Sequence, residues 1–211
     1  WAKDNTGLNI TIPATQLRKG TYWHLLPYAK KARAVVWNGI DTNNNIRLLD
    51  HIPESLIERK NENDMRIHLK NGSIWQCIGG DDIDRHVGTN PVGVVLSEYA
   101  LMDPAVWAYL RPILRENKGW SLMITTVRGK NHAWQLAQKY AQMQEKNPNY
   151  LYINQTIDDT QALTAADLEE ERASGMSDAM IRQEYYNDPE IPLQGAYYVT
   201  EIIKAQKDGR I

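Results

Sequence analysis

The 211-residue sequence contains one cysteine, Cys77, and no phenylalanine, so its aromatic side chains are 7 Trp and 11 Tyr. A single cysteine excludes a disulfide framework within the chain and favours a reducing compartment. No apolar run approaches the roughly 18 residues that a membrane-spanning helix needs. Positive and negative residues nearly cancel, with 24 Lys and Arg against 26 Asp and Glu, which excludes a histone-like polyelectrolyte.

The composition is that of an ordinary globular protein, with 42% hydrophobic and 24% charged residues. A chain of this length can bury one good-sized core or two small ones. The sequence begins with Trp1 rather than Met. We therefore expect that residues upstream of Trp1 are missing.

Strand-like and helix-like segments alternate along the chain. Short apolar runs predict strands at residues 21–27, 92–96, 120–126 and 150–154, and a hairpin joins 65–70 to 73–78 around Asn71-Gly72. Apolar residues at helical spacing predict helices at 29–40, 104–117, 131–144, 163–173 and 177–186. This alternation predicts an α/β fold with a mostly parallel sheet and helices on both faces.

The first candidate site follows the buried strand that ends in Ser97. There Glu98 is a carboxylate that leaves an apolar strand, an arrangement typical of the Walker B end of a phosphate-loop ATPase. Such a side chain can be held rigidly and partly desolvated, as a general base requires. The alternative is that Glu98 caps the next helix or pairs with a surface lysine.

The second candidate site follows the next strand. Thr125 and Thr126 precede a glycine turn, and Asn131 stands where a helix is predicted to begin. Hydroxyls and an amide at this point can sense a phosphate and transmit the signal to the helix. The alternative is a simple strand-to-helix turn in which Asn131 caps the helix.

The third candidate lies at the start of the sequence. Lys3 precedes an apolar run at residues 8–12 that can form a helix. In a phosphate loop, G-x-x-x-x-G-K-[ST], backbone amides and the lysine hold phosphates at the beginning of a helix. Lys3 can be the lysine of such a loop, or a solvated residue near a terminus.

These three segments come in the order expected of a phosphate-loop motor. They resemble the large terminase subunit, the DNA-packaging motor of tailed bacteriophages. The resemblance covers nearly the whole chain and includes the amino-acid sequences of residues 20–37, 82–88, 97–100, 125–132 and 193–211. The resemblance implies a three-layer αβα P-loop NTPase domain of the ASCE type at residues 1–188, with Trp1 inside the Walker A loop. Residues 189–211 would then be the linker to a nuclease domain that lies outside this sequence.

The resemblance also implies residue roles. Lys3, Asp4 and Asn5 would bind ATP, and Glu98 would activate the attacking water. An arginine finger supplied to a neighbouring subunit would be Arg85, with Arg128 as the second candidate.

The remaining roles concern coupling and the metal. Thr125, Thr126 and Asn131 would form the motif that couples hydrolysis to movement. Asp4 and Ser97 would contribute to the Mg²⁺ shell, although Asp4 replaces the usual Ser or Thr and Ser97 replaces the Walker B aspartate. Two further departures are Ala2, where the loop's second glycine is expected, and Val127, where proline is common.

The family resemblance implies ATP and Mg²⁺ as cofactors. Its partners would be double-stranded DNA, a portal protein, a small terminase subunit and further copies of the chain in a pentameric ring, in the cytoplasm of an infected bacterium and without a membrane. The full-length protein would also be an endonuclease. Two alternatives stay open: a helicase-like nucleic-acid ATPase, and a non-hydrolysing docking module whose nucleotide site has decayed.

Overall fold

The computed structural model describes residues 2–41, 45–86, 88–191, 205 and 208–210. The chain divides into two compact units, Trp1–Thr125 and Thr126–Ile211. The predicted linker at 189–211 lies mostly outside the described residues. The division of the sequence at residues 188 and 189 therefore remains a prediction.

Within the described residues, the first unit is built on a six-stranded sheet with the order β4-β5-β6-β1-β7-β8. Strands β6, β1, β7 and β8 are parallel, whereas β4 and β5 join antiparallel at one side. A separate antiparallel pair, β2-β3, lies outside this sheet. The strands are β1 (Thr21–Leu26), β2 (Ile40–Asp41), β3 (Ile46–Arg47), β4 (Ile57–Asn61), β5 (Arg66–Leu69), β6 (Ile74–Gly79), β7 (Pro91–Ser97) and β8 (Trp120–Ile124).

The burial of the strands explains why their sequences are continuous apolar runs. Every residue of β7 is buried, as are five of the six residues of β1, so both faces of the central strands are covered. The turn between β5 and β6 is the predicted Asn71-Gly72 hairpin, in which Gly72 has φ +81°. The predicted α/β fold with a mostly parallel sheet is therefore confirmed.

Three helices of the first unit pack against this sheet. They are α1 (Ala2–Leu17), α2 (Ala29–Ala32) and α3 (Pro104–Glu116), and 3-10 turns cover Leu48–His51, Glu54–Leu56, Gly80–His86 and Tyr99–Leu101. α1 and α2 contact β1, and α3 contacts β7. Asp103 caps α3 by accepting a hydrogen bond from the backbone of Ala105.

The helix predicted at 29–40 is wrong at its end. After α2 the chain tightens into a π-helical turn, Arg33–Trp37, and Ile40 already belongs to β2. A Cβ on Gly39 would lie 1.9 Å from the carbonyl oxygen of Val35, so the chain can turn here only because residue 39 is glycine.

Tryptophan and tyrosine supply the large aromatic side chains of the core. Trp23, Trp37, Trp75 and Tyr22 are among its largest fully buried side chains, and the rings of Trp37 and Trp75 stack with centroids 6.3 Å apart. Cys77 is buried beside them. Burial, and to a lesser degree the charge of Asp4, raises the pKa of the Cys77 thiol far above its ordinary value, so this thiol is unreactive.

The described part of the second unit is helical. Its helices are α4 (His132–Gln144), α5 (Ile157–Thr160), α6 (Ala165–Ala173) and α7 (Asp178–Tyr186). Ile157, Leu168 and Ile181 form a small apolar core. The side chains of Thr164 and Ser177 cap α6 and α7 by accepting backbone hydrogen bonds.

The strand predicted at 150–154 is wrong. These residues have no regular structure, and Leu151 and Ile153 are 72% and 64% exposed. An apolar alternation forms a strand only where a neighbouring strand pairs with it and a core buries one face, and neither occurs here. No helix within the described ranges is long and apolar enough to cross a membrane.

Candidate functional site

The candidate site lies where β7 ends. Ser97 is the last residue of β7, and Glu98 follows it in the left-handed conformation, with φ 57° and ψ 41°. This conformation costs a residue with a Cβ about 1–2 kcal/mol, and such strain is concentrated at functional sites. The strained turn places the Glu98 carboxylate beyond the carboxyl end of a central strand, where open α/β sheets bind ligands.

Lys3 reaches this carboxylate from the first turn of α1. Its Nζ lies 3.1 Å from Glu98 Oε1, although the two residues are 95 positions apart in the sequence. The side chains are 35% and 22% exposed, so the pair is partly shielded from water. The structure thus brings together the two residues that the sequence predicts for phosphate binding and water activation.

Asp4, the residue after Lys3, points into the protein. It is 4% exposed, and its Oδ1 lies 2.9 Å from Nε2 of His24, a fully buried residue of β1. Burial alone would raise the pKa of Asp4. The hydrogen bond and charge of His24, with a contribution from Ser97, outweigh burial and hold the pKa of Asp4 below its ordinary value.

Ser97 is the second polar group on this face. His24 pairs with Val95 in the register of β1 and β7, and Ser97 lies two residues after Val95, so all three side chains share one face of the sheet. The Ser97 hydroxyl is buried without a well-formed hydrogen bond. It nevertheless lies close enough to Asp4 to favour the ionised carboxylate.

Gly7 allows α1 to approach the sheet at this point. A Cβ on Gly7 would lie 2.8 Å from Val95 Cγ1 and 3.1 Å from His24 Cε1. Asp4 precedes Gly7 by one helical turn and therefore lies on the same side of α1. The close approach is what sets Asp4 over His24 and Ser97.

Replacing Gly7 with alanine should destabilise the protein. Alanine gains about 1 kcal/mol of helix propensity, but overpacking against a stiff β-branched side chain costs about 1–3 kcal/mol. We expect a net loss of about 1 kcal/mol in the free energy of unfolding, measured by urea denaturation. The control is Asn9→Ala on the exposed side of α1, which gains propensity without the clash and should be neutral or stabilising. Equal stability of the two variants would contradict the tight α1–sheet contact.

The predicted coupling residues divide between the two units. In the first unit, the backbone N–H of Ala100 donates to Thr125 Oγ1 at 3.0 Å, and the N–H of Glu98 donates to the carbonyl of Ile124 at 2.8 Å. The turn that carries Glu98 is thereby tied to the end of β8. In the second unit, Thr126 is buried.

Asn131 caps α4. Its Oδ1 accepts hydrogen bonds from the backbone N–H groups of Ala133 and Trp134. This is the capping role that the sequence left open as the alternative for Asn131.

Three further predicted site residues, Asn5, Arg85 and Arg128, have local partners of their own. Asn5 accepts a hydrogen bond from Asn9 Nδ2 at 3.1 Å on α1. Arg85 has an 82% exposed side chain whose Nε lies 2.8 Å from Asp82 Oδ1. Arg128 forms an ion pair with Glu184 inside the second unit.

The donors at the site suit a magnesium ion that is shared with phosphates. Among the described residues, no group of three or more His, Cys, Asp or Glu is arranged to hold a metal alone. A nucleotide-bound Mg²⁺ does not need one, because it takes one or two protein oxygens and fills its other positions with phosphate oxygens and water. The ionised carboxylate of Asp4 and the underused hydroxyl of Ser97 meet this requirement.

Sequence reasoning missed His24. Its signal was present as a titratable residue inside the apolar strand Tyr22–Leu26, where burial demands a partner. The sequence does not identify this partner, because Asp4 contacts His24 only through the packing of α1 on β1.

Comparison with known proteins bears on the family. The terminase large subunit of Escherichia phage T5 is 33% identical over 135 residues, which cover 62% of this chain and 30% of the T5 protein. The chain is a homologue of the phage terminase large subunit. It thus spans less than a third of the length of this terminase relative, and no family model matches it.

Solved terminase structures share the fold of this terminase homologue. The ATPase domain of the Thermus phage P74-26 large terminase superposes with a TM-score of 0.61 at 18% identity, covering 84% of this chain and 80% of that domain. The large terminase of another thermophilic bacteriophage, solved in complex with ATP-gamma-S, superposes with a TM-score of 0.57 at 14% identity, covering 82% of this chain and 40% of that terminase. The predicted resemblance to large terminase ATPase domains is confirmed.

Proposed function

We propose that this terminase homologue is the motor domain of a viral DNA-packaging enzyme, which couples ATP hydrolysis to the translocation of double-stranded DNA into a procapsid. The observation that carries the proposal is the Lys3–Glu98 pair at the end of β7, with Asp4 and Ser97 as their sequence neighbours. The homology to a terminase large subunit supports the same function.

Lys3 and Glu98 have complementary roles in this proposal. Lys3 neutralises the β- and γ-phosphates of ATP, and Glu98 accepts a proton from the attacking water. The phosphates compete with Glu98 for the lysine, so nucleotide binding releases the carboxylate to act on water. The strained turn at Glu98 fixes the carboxylate in place, which reduces the reorganisation needed for reaction.

Asp4 and Ser97 are the residues that would hold Mg²⁺. The ion would supply positive charge to neutralise the negative charge that develops during phosphoryl transfer. Asp4 is suited to this role because it is ionised although buried. Ser97 presents a hydroxyl on the same face of the sheet.

The proposed coupling begins at the hydrogen bond that the backbone N–H of Ala100 donates to Thr125 Oγ1. A shift of the Glu98 turn during hydrolysis would pull on Thr125 at the end of β8. Thr126 and Asn131 would extend the motif, and Asn131 is suited to it because its side chain fixes the first turn of α4.

The remaining parts of the proposal rest on the homology to terminases. The partners would be double-stranded DNA, a portal protein, a small terminase subunit and four further copies of the chain in a ring. The setting would be the cytoplasm of an infected bacterium. The full-length protein would also cleave DNA.

The site geometry argues against a decayed docking module. In a nucleotide site that has lost its function, selection no longer keeps the polar side chains in contact with one another. Here Lys3 and Glu98 meet at 3.1 Å, and Asp4 is buried, ionised and partnered. The docking alternative is therefore less well supported than a working ATPase.

Binding and hydrolysis by the full-length protein test the proposal. We expect a fluorescent ATP analogue to bind, and duplex DNA to stimulate hydrolysis. Lys3→Ala should weaken nucleotide binding about 10- to 100-fold, the value of a charge-assisted hydrogen bond, whereas Lys139→Ala on exposed α4 should not. A wild-type protein without nucleotide binding would overturn the proposal. Binding of the portal protein would separate a packaging motor from a helicase-like enzyme.

A further inference from the structure

Phosphate-loop enzymes usually hold Mg²⁺ with a hydroxyl from the loop and a carboxylate from the Walker B strand. In this chain the two residue types are reversed, because Asp4 stands on α1 and Ser97 ends β7. The pair still comprises one hydroxyl and one carboxylate. The two departures from the usual pattern therefore keep the same pair of ligand types.

We propose that the metal site of this chain has exchanged its two ligands, with Asp4 as the carboxylate and Ser97 as the hydroxyl, and that His24 is the positioning residue for Asp4. This proposal rests on the proposed nucleotide-binding function. It goes beyond it by inferring that the two ligands have exchanged positions and by adding a residue that lies outside every phosphate-loop motif.

The packing of α1 makes the exchange possible. Gly7 lies against Val95 and His24, and one turn earlier α1 carries Asp4 to the same face of the sheet, where Ser97 follows Val95. A carboxylate on α1, as in this chain, can therefore reach the same metal position as a carboxylate at the end of the strand in the usual arrangement. The hydroxyl of Ser97 is buried and lacks a well-formed hydrogen bond, so it has bonding capacity to offer.

His24 solves the difficulty that this placement creates. A buried carboxylate needs a hydrogen-bond partner, and a carboxylate that ligates a metal needs a fixed orientation. His24 lies at full burial on the central strand β1 and holds Asp4 Oδ1 at 2.9 Å. Its ring packs edge-on against Trp75 with centroids 6.1 Å apart, which fixes its orientation. Such outer-shell partners orient ligating carboxylates and change metal affinity about 10- to 100-fold when removed.

The test is a double-mutant cycle on the full-length protein. The measured quantity is the Mg²⁺ effect, defined as the affinity for a fluorescent ATP analogue with Mg²⁺ divided by its affinity in EDTA. Asp4→Ser should lower the Mg²⁺ effect about 10-fold or more, because it removes the carboxylate ligand. Ser97→Asp supplies a carboxylate from the strand instead. The double variant restores the usual arrangement, and it should recover most of the Mg²⁺ effect.

His24 is tested by a pair of variants. His24→Ala should lower the Mg²⁺ effect about 10- to 100-fold, and His24→Gln, which keeps an N–H donor, should restore part of it. A residue with a purely structural role would lower the affinity with Mg²⁺ and in EDTA alike. Equal loss in both conditions, with no rescue by glutamine, would overturn the positioning role.

The outcomes separate this proposal from the proposed function. A wild-type protein that binds no nucleotide contradicts the proposed function. A wild-type protein with a strong Mg²⁺ effect, together with a double variant no better than Asp4→Ser, overturns the exchange alone. Because an introduced carboxylate can disturb folding, Ser97→Ala serves as a milder variant. It should lower the Mg²⁺ effect and leave the affinity in EDTA unchanged, and an unchanged Mg²⁺ effect would count against Ser97 as a ligand.

Discussion

Glu98→Gln is expected to lower the rate of ATP hydrolysis by about 10²- to 10⁴-fold, the usual contribution of a general base. Glutamine has nearly the shape of glutamate but cannot accept a proton from water. The substitution also removes the negative partner of Lys3, which lies 3.1 Å from Glu98. Lys3 then faces less competition, so the affinity for nucleotide should stay the same or rise. The measurement is steady-state phosphate release together with equilibrium binding of ATP.

The matched control is Glu116→Gln. Glu116 is an exposed residue in the last turn of α3. Its substitution by glutamine removes one negative charge, as Glu98→Gln does, but away from the site. We expect this variant to hydrolyse ATP at the wild-type rate. Hydrolysis that survives in Glu98→Gln would show that another group activates the water.

The sequence predicts the central sheet because its signals are local. Residues 21–26 and 91–97 are apolar runs buried on both faces. Asn71-Gly72 forms the predicted turn because glycine readily adopts the positive φ that the turn needs at Gly72. The strand predicted at 150–154 fails for the opposite reason. Its apolar side chains have the pattern of a strand, but pairing depends on what lies beside them in space, which no local pattern records.

The site is predictable to the extent that it follows strand ends. Glu98 and Lys3 are identified from their places beside a buried strand and a helix start, and the structure brings them together. His24 is not identified from the sequence, because its partner Asp4 is 20 residues away and the contact depends on how closely α1 approaches the sheet. That approach is decided by the missing side chain of Gly7, whose importance appears only in three dimensions.

Arg85→Ala is expected to produce the largest loss of activity, about 10³- to 10⁵-fold in the hydrolysis rate of the assembled ring, if Arg85 is the arginine finger. The side chain is suited to reach another subunit because it is 82% exposed. Its partner among the described residues is Asp82, three positions earlier, and an exposed ion pair of this kind is weak enough to exchange for a phosphate. Nucleotide affinity should change little, because a finger acts mainly on the transition state. Arg111→Ala, an exposed arginine in the middle of α3, is the control and should hydrolyse ATP normally.

Mixed rings decide whether Arg85 acts on a neighbouring subunit. Rings of Arg85→Ala alone have intact Glu98 but no finger, and rings of Glu98→Gln alone have fingers but no general base. When the two variants are combined, an Arg85→Ala subunit can receive the finger of a Glu98→Gln neighbour, and that interface contains every group needed for hydrolysis. The mixture should therefore hydrolyse ATP faster than either variant alone, with a maximum near equal amounts. If Arg85 acted within its own subunit, no combination would assemble a complete site, and the mixture would be as inactive as its components.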